Sequence, residues 1–361
     1  MSRFWSSIIQ QLSPYVPGEQ PKATGPNDLI KLNTNENPYP PSPKVIEAIQ
    51  QTAEMGLQKY PDPNGQALKD TIARYYSLNS KQVFVGNSSD EVLAHIFQAF
   101  FTDRTGVDDK HLIFPDITYG FYPVYAKLYK IPYSVLPLEA DFSINVANFP
   151  KENRGIIFAN PNAPTGLCLS LVEIEQLLRE HPDSLVVVDE AYVDFGGESA
   201  ITLVDRYENL LVTQTFSKSR SLAGLRMGYA CANAELIDAL ERVKNSFNAY
   251  PLDQLALAGG VASFADEQYF QTTCQQVIET RENTVTSLQK LDFTVLSSSA
   301  NFVFVKPPAN ISAKQLFTKL REQDVIVRYF DKPRINNFLR ITIGTNAQMK
   351  QLLEAIKVSL P

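Results

Sequence analysis

The chain has 361 residues, 44% hydrophobic and 20% charged, with a formal net charge of −6. This is the make-up of a soluble globular protein, long enough for one large α/β domain and a smaller one. The acidic balance excludes a general attraction to DNA, RNA or an anionic membrane, so a few placed Arg or Lys residues must draw any phosphorylated ligand.

The first predicted element is a short helix carrying Trp5, Ile8, Ile9 and Leu12 at helical spacing. Its apolar run is too short and interrupted for a signal peptide. An extended arm follows, through Leu32-Asn33-Thr34-Asn35-Glu36-Asn37-Pro38, and then helices near 43–55 and 66–76. Beyond them short apolar runs alternate with helical stretches. The runs are Val83 to Val85, Leu112 to Phe114, Ile156 to Phe158, Leu185 to Val188 and Leu210 to Val212, with helices near 90–101, 120–129 and 170–180. Short, fully apolar strands separated by helices predict a mostly parallel sheet covered on both faces. The stretch 252–290 reads as one long helical region. Phe302 to Val305, a helix near 313–322, Val325 to Val327, Phe338 to Ile343 and a closing helix then predict a smaller α+β domain. The expected division is an N-terminal arm over 1–30, a large domain over 31–245 and a small domain over 246–361.

Cys168, Cys231 and Cys274 lie far apart, outside any C-x-x-C, and read as small core residues of a reducing compartment rather than a disulfide framework or zinc knuckle. His95, His111 and His181 have no ligand spacing, so no metal is expected. No stretch approaches a membrane span, and a cytoplasmic location is expected.

In a parallel sheet covered by helices, ligands bind beyond the carboxyl ends of the strands. After Val188 comes Asp189-Glu190-Ala191-Tyr192; after Val212 comes Thr213-Gln214-Thr215-Phe216-Ser217-Lys218, then Ser219 to Arg226. A carboxylate, a phenol, a lysine and an arginine thus gather at neighbouring strand ends. The set fits pyridoxal 5′-phosphate, which needs an amine for its aldehyde, a carboxylate against its ring nitrogen, a donor at its ring oxygen, and hydroxyls, backbone N–H groups and an arginine for its phosphate. No dinucleotide-binding or P-loop glycine pattern competes.

Ser217-Lys218, followed eight positions later by Arg226 in L-A-G-L-R-x-G-Y, resembles the lysine motif of the fold type I aminotransferases. The likeness runs over nearly the whole chain. It implies a fold type I pyridoxal-phosphate-dependent transferase with a mostly parallel central sheet in the large domain, a smaller α+β C-terminal domain and an N-terminal arm. It implies that Lys218 bonds the cofactor aldehyde and then carries the proton, that Asp189 pairs the ring nitrogen and that Tyr192 reaches the ring oxygen. Thr215, Ser217 and Arg226 are implied to bind the phosphate. Gly86-Asn87-Ser88-Ser89-Asp90-Glu91 resembles the family's G-N-G-S-D-E loop, which places Ser89, Asp90 and Glu91 at the phosphate and puts Ser88 where glycine is usual. Tyr119 is implied to stack on the ring. Asn160-Pro161-Asn162-Ala163-Pro164-Thr165-Gly166 resembles N-P-N-N-P-T-G, except that Ala163 replaces the asparagine that bonds the ring oxygen; Asn162 or Asn160 is left to substitute.

Leu32 to Tyr39, Lys59-Tyr60-Pro61-Asp62-Pro63, Val325 to Arg328 and Leu339 to Thr345 narrow the resemblance to the histidinol-phosphate aminotransferase branch. There Arg340 takes the glutamate α-carboxylate, Arg328 takes the substrate phosphate, Asn35 lines the entrance, and Tyr60 crosses to the cofactor phosphate of the other subunit of a homodimer. The expected partners are small molecules only: an amino acid, a 2-oxo acid and a phosphorylated amine. A threonine-phosphate decarboxylase-like lyase and a broad aromatic aminotransferase stay open on the same motifs.

Overall fold

The structure is a computed structural model and describes residues 3–21, 29–102 and 109–361. Part of the expected arm, residues 1–2 and 22–28, lies outside the described residues.

In chain order the elements are α1 (Ser7–Gln11), β1 (Ile30–Lys31), α2 (Pro43–Glu54), α3 (Gln66–Tyr76), β2 (Val83–Asn87), α4 (Ser88–Ile96), β3 (Leu112–Pro115), α5 (Tyr122–Leu128), β4 (Tyr133–Leu136), β5 (Gly155–Ala159), α6 (Leu171–Glu180), β6 (Val186–Asp189), β7 (Leu210–Thr215) and β8 (Met227–Ala232). There follow α7 (Ala234–Phe247), α8 (Gln254–Phe264), α9 (Glu267–Gln289), β9 (Thr294–Val295), β10 (Phe302–Lys306), α10 (Ala313–Arg321), β11 (Val325–Ile326), β12 (Arg328–Tyr329), β13 (Leu339–Thr342) and α11 (Asn346–Ser359).

A seven-stranded sheet runs in the order β2-β8-β7-β6-β5-β3-β4. The pairs among β3 to β7 are parallel, and only β8 runs against its neighbours. The fold is therefore α/β with a mostly parallel central sheet. Strands β5, β6 and β7 are buried along their whole length, as β-branched apolar runs covered on both faces must be. Sequence periodicity does not pick out β8, whose M-G-Y-A-C-A run carries small residues, or β4, whose central residues are exposed. Helix starts follow local chemistry: Ser170 with Glu173, Ser312 with Gln315 and Thr345 with Gln348 form capping boxes at α6, α10 and α11.

A four-stranded antiparallel sheet, β12-β13-β10-β9, carries the second core with α9, α10 and α11. The region read as one helix over 252–290 is α8 and α9, broken at Ala265-Asp266, and α7 precedes them. Leu252, Ala256 and Phe264 join the core of the large sheet. The chain thus returns to that sheet after residue 246 before it crosses to the smaller one. Conversely, β1 pairs with β11, and Leu32 packs in the second core. No helix among the described residues is long and apolar enough to cross a membrane.

Candidate active site

Asp189 ends β6 and is buried. Tyr122 donates to its Oδ2 at 2.8 Å and Thr213 to its Oδ1 at 3.2 Å. Burial pushes its carboxyl up to about 6, and these two bonds pull the other way. No cation among the described residues forms an ion pair with it. Lys218 lies just past β7, and its Nζ donates to the Thr34 carbonyl at 3.0 Å, 5.8 Å from the Tyr192 ring centre. Burial, and then the nearby Arg340 guanidinium, lower its amine to about 8, while Glu36 and Asp90 oppose them. The result is an amine that is easily made neutral and a buried carboxylate that wants a cation, both at the carboxyl ends of adjacent parallel strands.

Tyr192 accepts a hydrogen bond from Asn35 Nδ2 at 3.0 Å, and its ring meets Phe302 edge-on at 5.1 Å. Ala163, Ala300 and Phe302 form an apolar cluster against that ring. Of the two asparagines left to replace Ala163, Asn160 spends its amide on the Leu169 backbone, donating at 3.1 Å and accepting at 2.7 Å. Asn162 donates to the Ile117 carbonyl at 3.0 Å and to Thr165 Oγ1 at 3.1 Å, and its buried Oδ1 has no partner. Its unspent atom is therefore an acceptor, which does not serve an anionic ring oxygen.

At the start of α4 the backbone turns sharply, with Ser88 at φ 72°. That left-handed conformation costs a serine about 1–2 kcal/mol, and it is why glycine suits the position. The hydroxyl offsets part of this cost. It donates to Asp90 Oδ2 at 3.0 Å and accepts from Asp90 N at 3.1 Å and from Arg226 Nη2 at 2.9 Å. Gly228 of β8 lets the turn sit close, since a Cβ there would fall 2.3 Å from Ser89 N. Arg226 also pairs with Asp90 at 3.0 Å, and Tyr119 donates to Asp90 at 2.9 Å. Ser217 is buried, with its backbone N–H on Thr215 Oγ1 at 3.1 Å. Glu91 folds back onto the Asn87 N–H at 2.5 Å. Ser88 and Asp90 at the α4 N-terminus thus meet Arg226, and Ser89 lies against Gly228 of β8, so backbone N–H groups and a guanidinium gather at one helix start.

Arg328 and Arg340 are direct cross-strand partners on β12 and β13. Phe330 lies beside both, 5.4 Å from one guanidinium carbon and 5.6 Å from the other. Arg340 Nη2 donates to the Asn33 carbonyl at 2.9 Å, while its buried Nε has no partner. Neither arginine meets a carboxylate among the described residues. Like charges directly opposite cost up to about 1 kcal/mol, and a bound anion removes that cost. Asn35 is buried, and its amide is spent on Tyr192 and Thr342. Tyr60 is 82% exposed and pairs with the Tyr250 ring at 4.8 Å.

Residues 27–356 match the family described as aminotransferase class I and II. The chain belongs to this family. Among its relatives, histidinol-phosphate aminotransferase 1 of Pseudomonas aeruginosa is 58% identical and histidinol-phosphate aminotransferase 2 of Dechloromonas aromatica 57%, each matched over 99% of both chains. A solved structure of histidinol-phosphate aminotransferase from Sinorhizobium meliloti, in complex with pyridoxal-5′-phosphate, matches 99% of both chains with a TM-score of 0.85 at 21% identity, which shows the shared fold.

In this aminotransferase the motif reading missed some residues that face the site. Tyr122 holds Asp189 from α5, which no motif marks. Tyr15 comes from the arm, stacks on Phe121 at 4.2 Å and lies near enough to Arg340, Arg328, Tyr192 and Asp90 to feel their charges. Phe330 lies just past β12, two residues after Arg328, and that spacing in extended chain, which puts both side chains on one side, is the signal that points to it.

Proposed function

We propose that this aminotransferase holds pyridoxal 5′-phosphate on Lys218 and moves an amino group between glutamate/2-oxoglutarate and histidinol phosphate/imidazole acetol phosphate, in histidine biosynthesis. The observation that carries the reading is the Arg328–Arg340 pair, two guanidinium groups on opposed strands with no carboxylate between them. Two forks side by side suit a ligand bearing a carboxylate in one half-reaction and a phosphate in the other.

The residues fit the cofactor: a buried carboxylate without a cation, an amine of lowered basicity and an anion-binding corner at a helix start. Bound there, the cofactor supplies an aldehyde and an electron-withdrawing ring. Asp189 keeps the proton on the ring nitrogen. Tyr192 donates to the ring oxygen, and Tyr119 covers the ring. Ser89, Thr215, Ser217 and Arg226 hold the phosphate, with Asp90 orienting Arg226. Lys218 would hold the cofactor through its aldehyde and would carry the proton at the reacting carbon. Arg340 takes the carboxylate and Arg328 the phosphate.

The same reading makes the protein a cytoplasmic homodimer, with the exposed Tyr60 reaching the partner's cofactor phosphate; sedimentation at assay concentration tests this, and a fully active monomer would refute it. It keeps the division into arm, large domain and small domain, and the packing of α8 favours drawing the crossing near α9 rather than at residue 245.

The test compares kcat/KM for histidinol phosphate, histidinol and glutamate. Arg328→Ala should lower the phosphorylated amine by roughly 30-fold to several thousand-fold and histidinol far less. Arg340→Ala should damage chiefly the glutamate half-reaction. Equal losses for histidinol phosphate and histidinol in Arg328→Ala would defeat the phosphate assignment. Release of CO2 from O-phosphothreonine, with no glutamate formed from 2-oxoglutarate, would mark a lyase instead.

A further inference from the structure

The arm residue Asn35 sits where three parts of the chain meet. It is 1% exposed and adopts φ 56°, the left-handed region that asparagine tolerates better than most residues. Its backbone N–H donates to Thr342 Oγ1 at 3.0 Å, and Asn301 Nδ2 donates to its carbonyl at 2.9 Å. Its side chain spans the gap between Thr342, at the end of β13, and Tyr192, beyond β6.

The orientation of that amide follows from counting protons. The Thr342 hydroxyl accepts from the Asn35 backbone, and its own proton goes to Asn35 Oδ1 at 3.0 Å. Reversing the amide would place an N–H against that hydroxyl and leave a buried hydroxyl proton without an acceptor, which costs about 1–3 kcal/mol. The Nδ2 group therefore faces Tyr192 and donates to its oxygen at 3.0 Å. Ala163, Ala300 and Phe302 pack apolar surface against the Tyr192 ring, and the Lys218 Nζ lies 5.8 Å from its centre. With its oxygen already accepting from Asn35, the phenol keeps its own proton for the pocket.

We propose that Asn35 is a positioning residue that fixes Tyr192 as a hydrogen-bond donor toward the cofactor ring oxygen, with Thr342 locking the amide that does so. The inference rests on the cofactor reading above. It replaces entrance-lining by Asn35 with a role exerted through Tyr192. Asn35 also ties the phenol to β13, the strand that carries Arg340. A phenol that receives a hydrogen bond is a stronger donor, because the charge left on its oxygen is stabilised. A stronger donor at the ring oxygen favours the anionic oxygen and so lowers the pH at which the cofactor–lysine nitrogen loses its proton.

The test is a pH titration of the bound cofactor's visible absorbance in the holoenzyme, with cofactor Kd measured alongside. Tyr192→Phe should raise the midpoint. Asn35→Ala should raise it in the same direction, by several tenths to about one pH unit, the size of one hydrogen bond. In the Tyr192→Phe background Asn35→Ala should add nothing, because the group it acts through is gone. Thr342→Val frees the amide to reverse while leaving Asn35 in place. It should give a smaller shift of the same sign, and it serves if Asn35→Ala fails to fold. Equal shifts by Asn35→Ala in both backgrounds would overturn the inference, as would an unmoved midpoint in Asn35→Ala or Thr342→Val with cofactor bound. An unsubstituted chain that acquires no visible absorbance from the cofactor would instead overturn the broader reading, and this inference with it.

Discussion

At the strand ends of the large sheet Asp189 and Arg226 are already partnered, whereas on the small sheet two arginines stand on opposed strands without a carboxylate. Asp189 is held by Tyr122 and Thr213, and Arg226 by Ser88 and Asp90. Arg328 and Arg340 are opposed on β12 and β13, and Arg340 keeps a buried N–H unspent. The first arrangement is organised before any ligand arrives, so it sets geometry and proton positions. The second holds repulsion that an anion relieves, and on the proposed reading it selects which ligands are taken. Chemistry and specificity are thus separable by mutation.

The largest effect expected on the large-sheet side is that of Lys218→Ala. It should lower transamination by several orders of magnitude, since both the covalent and the proton-carrying roles are lost, while equilibrium dialysis still finds cofactor bound through the phosphate contacts. Turnover like that of the unsubstituted enzyme would remove Lys218 from the centre of the site. Asp189→Asn should follow, at roughly 100- to 1000-fold in kcat, the scale of one preorganised electrostatic partner, with circular dichroism unchanged. Full activity with cofactor bound would show that the ring nitrogen is held by another group.

The two sheets also meet in one titration. Only the neutral Lys218 amine attacks an aldehyde, and its value of about 8 is held down partly by Arg340. The rate of cofactor capture by the cofactor-free protein should therefore rise up to about tenfold per pH unit below that value and level off above it. Arg340→Ala should move the midpoint upward. A midpoint near that of a free lysine in the unsubstituted protein would show that the amine is not poised.

The smallest effect expected is on stability. Asp189 has a folded value of about 6 against an ordinary 3.8, so between those values the native state binds more protons than the unfolded chain. Its contribution is most favourable below the lower value and is lost as pH rises toward the upper one, by an amount on the order of 2–3 kcal/mol. Glu190, raised to about 7 by burial, adds a change of the same sign. The cofactor-free Asp189→Asn variant should thus show a flatter fall in Tm between pH 4 and 6 than the unsubstituted protein. Parallel curves for the two would show that Asp189 does not titrate in that window.

Much of the site is legible without coordinates, because the chemistry demands residue types at short spacing. Asp189 and Tyr192 are three apart, Lys218 and Arg226 eight, and each follows a strand whose apolar run is unmistakable. The rest depends on partners far along the chain. Asn35 meets Thr342 across 307 residues, Tyr122 meets Asp189 across 67, and Arg226 meets Ser88 across 138. No local pattern encodes those meetings, so Asn35 reads as an entrance residue and nothing marks Tyr122.

Sequence alone determined the α/β class, most strands of the large sheet and the lysine, carboxylate, phenol and arginine at their ends. Period and composition record which face of an element is buried, and cofactor chemistry restricts what can stand at a strand end. Tertiary structure decided that β8 runs antiparallel, that α8 returns to the large sheet, that β1 pairs with β11 in a two-stranded sheet of its own and that Arg328 stands opposite Arg340. Which strand pairs with which, and in what register, depends on packing summed over the whole core, a property that no short stretch of chain carries.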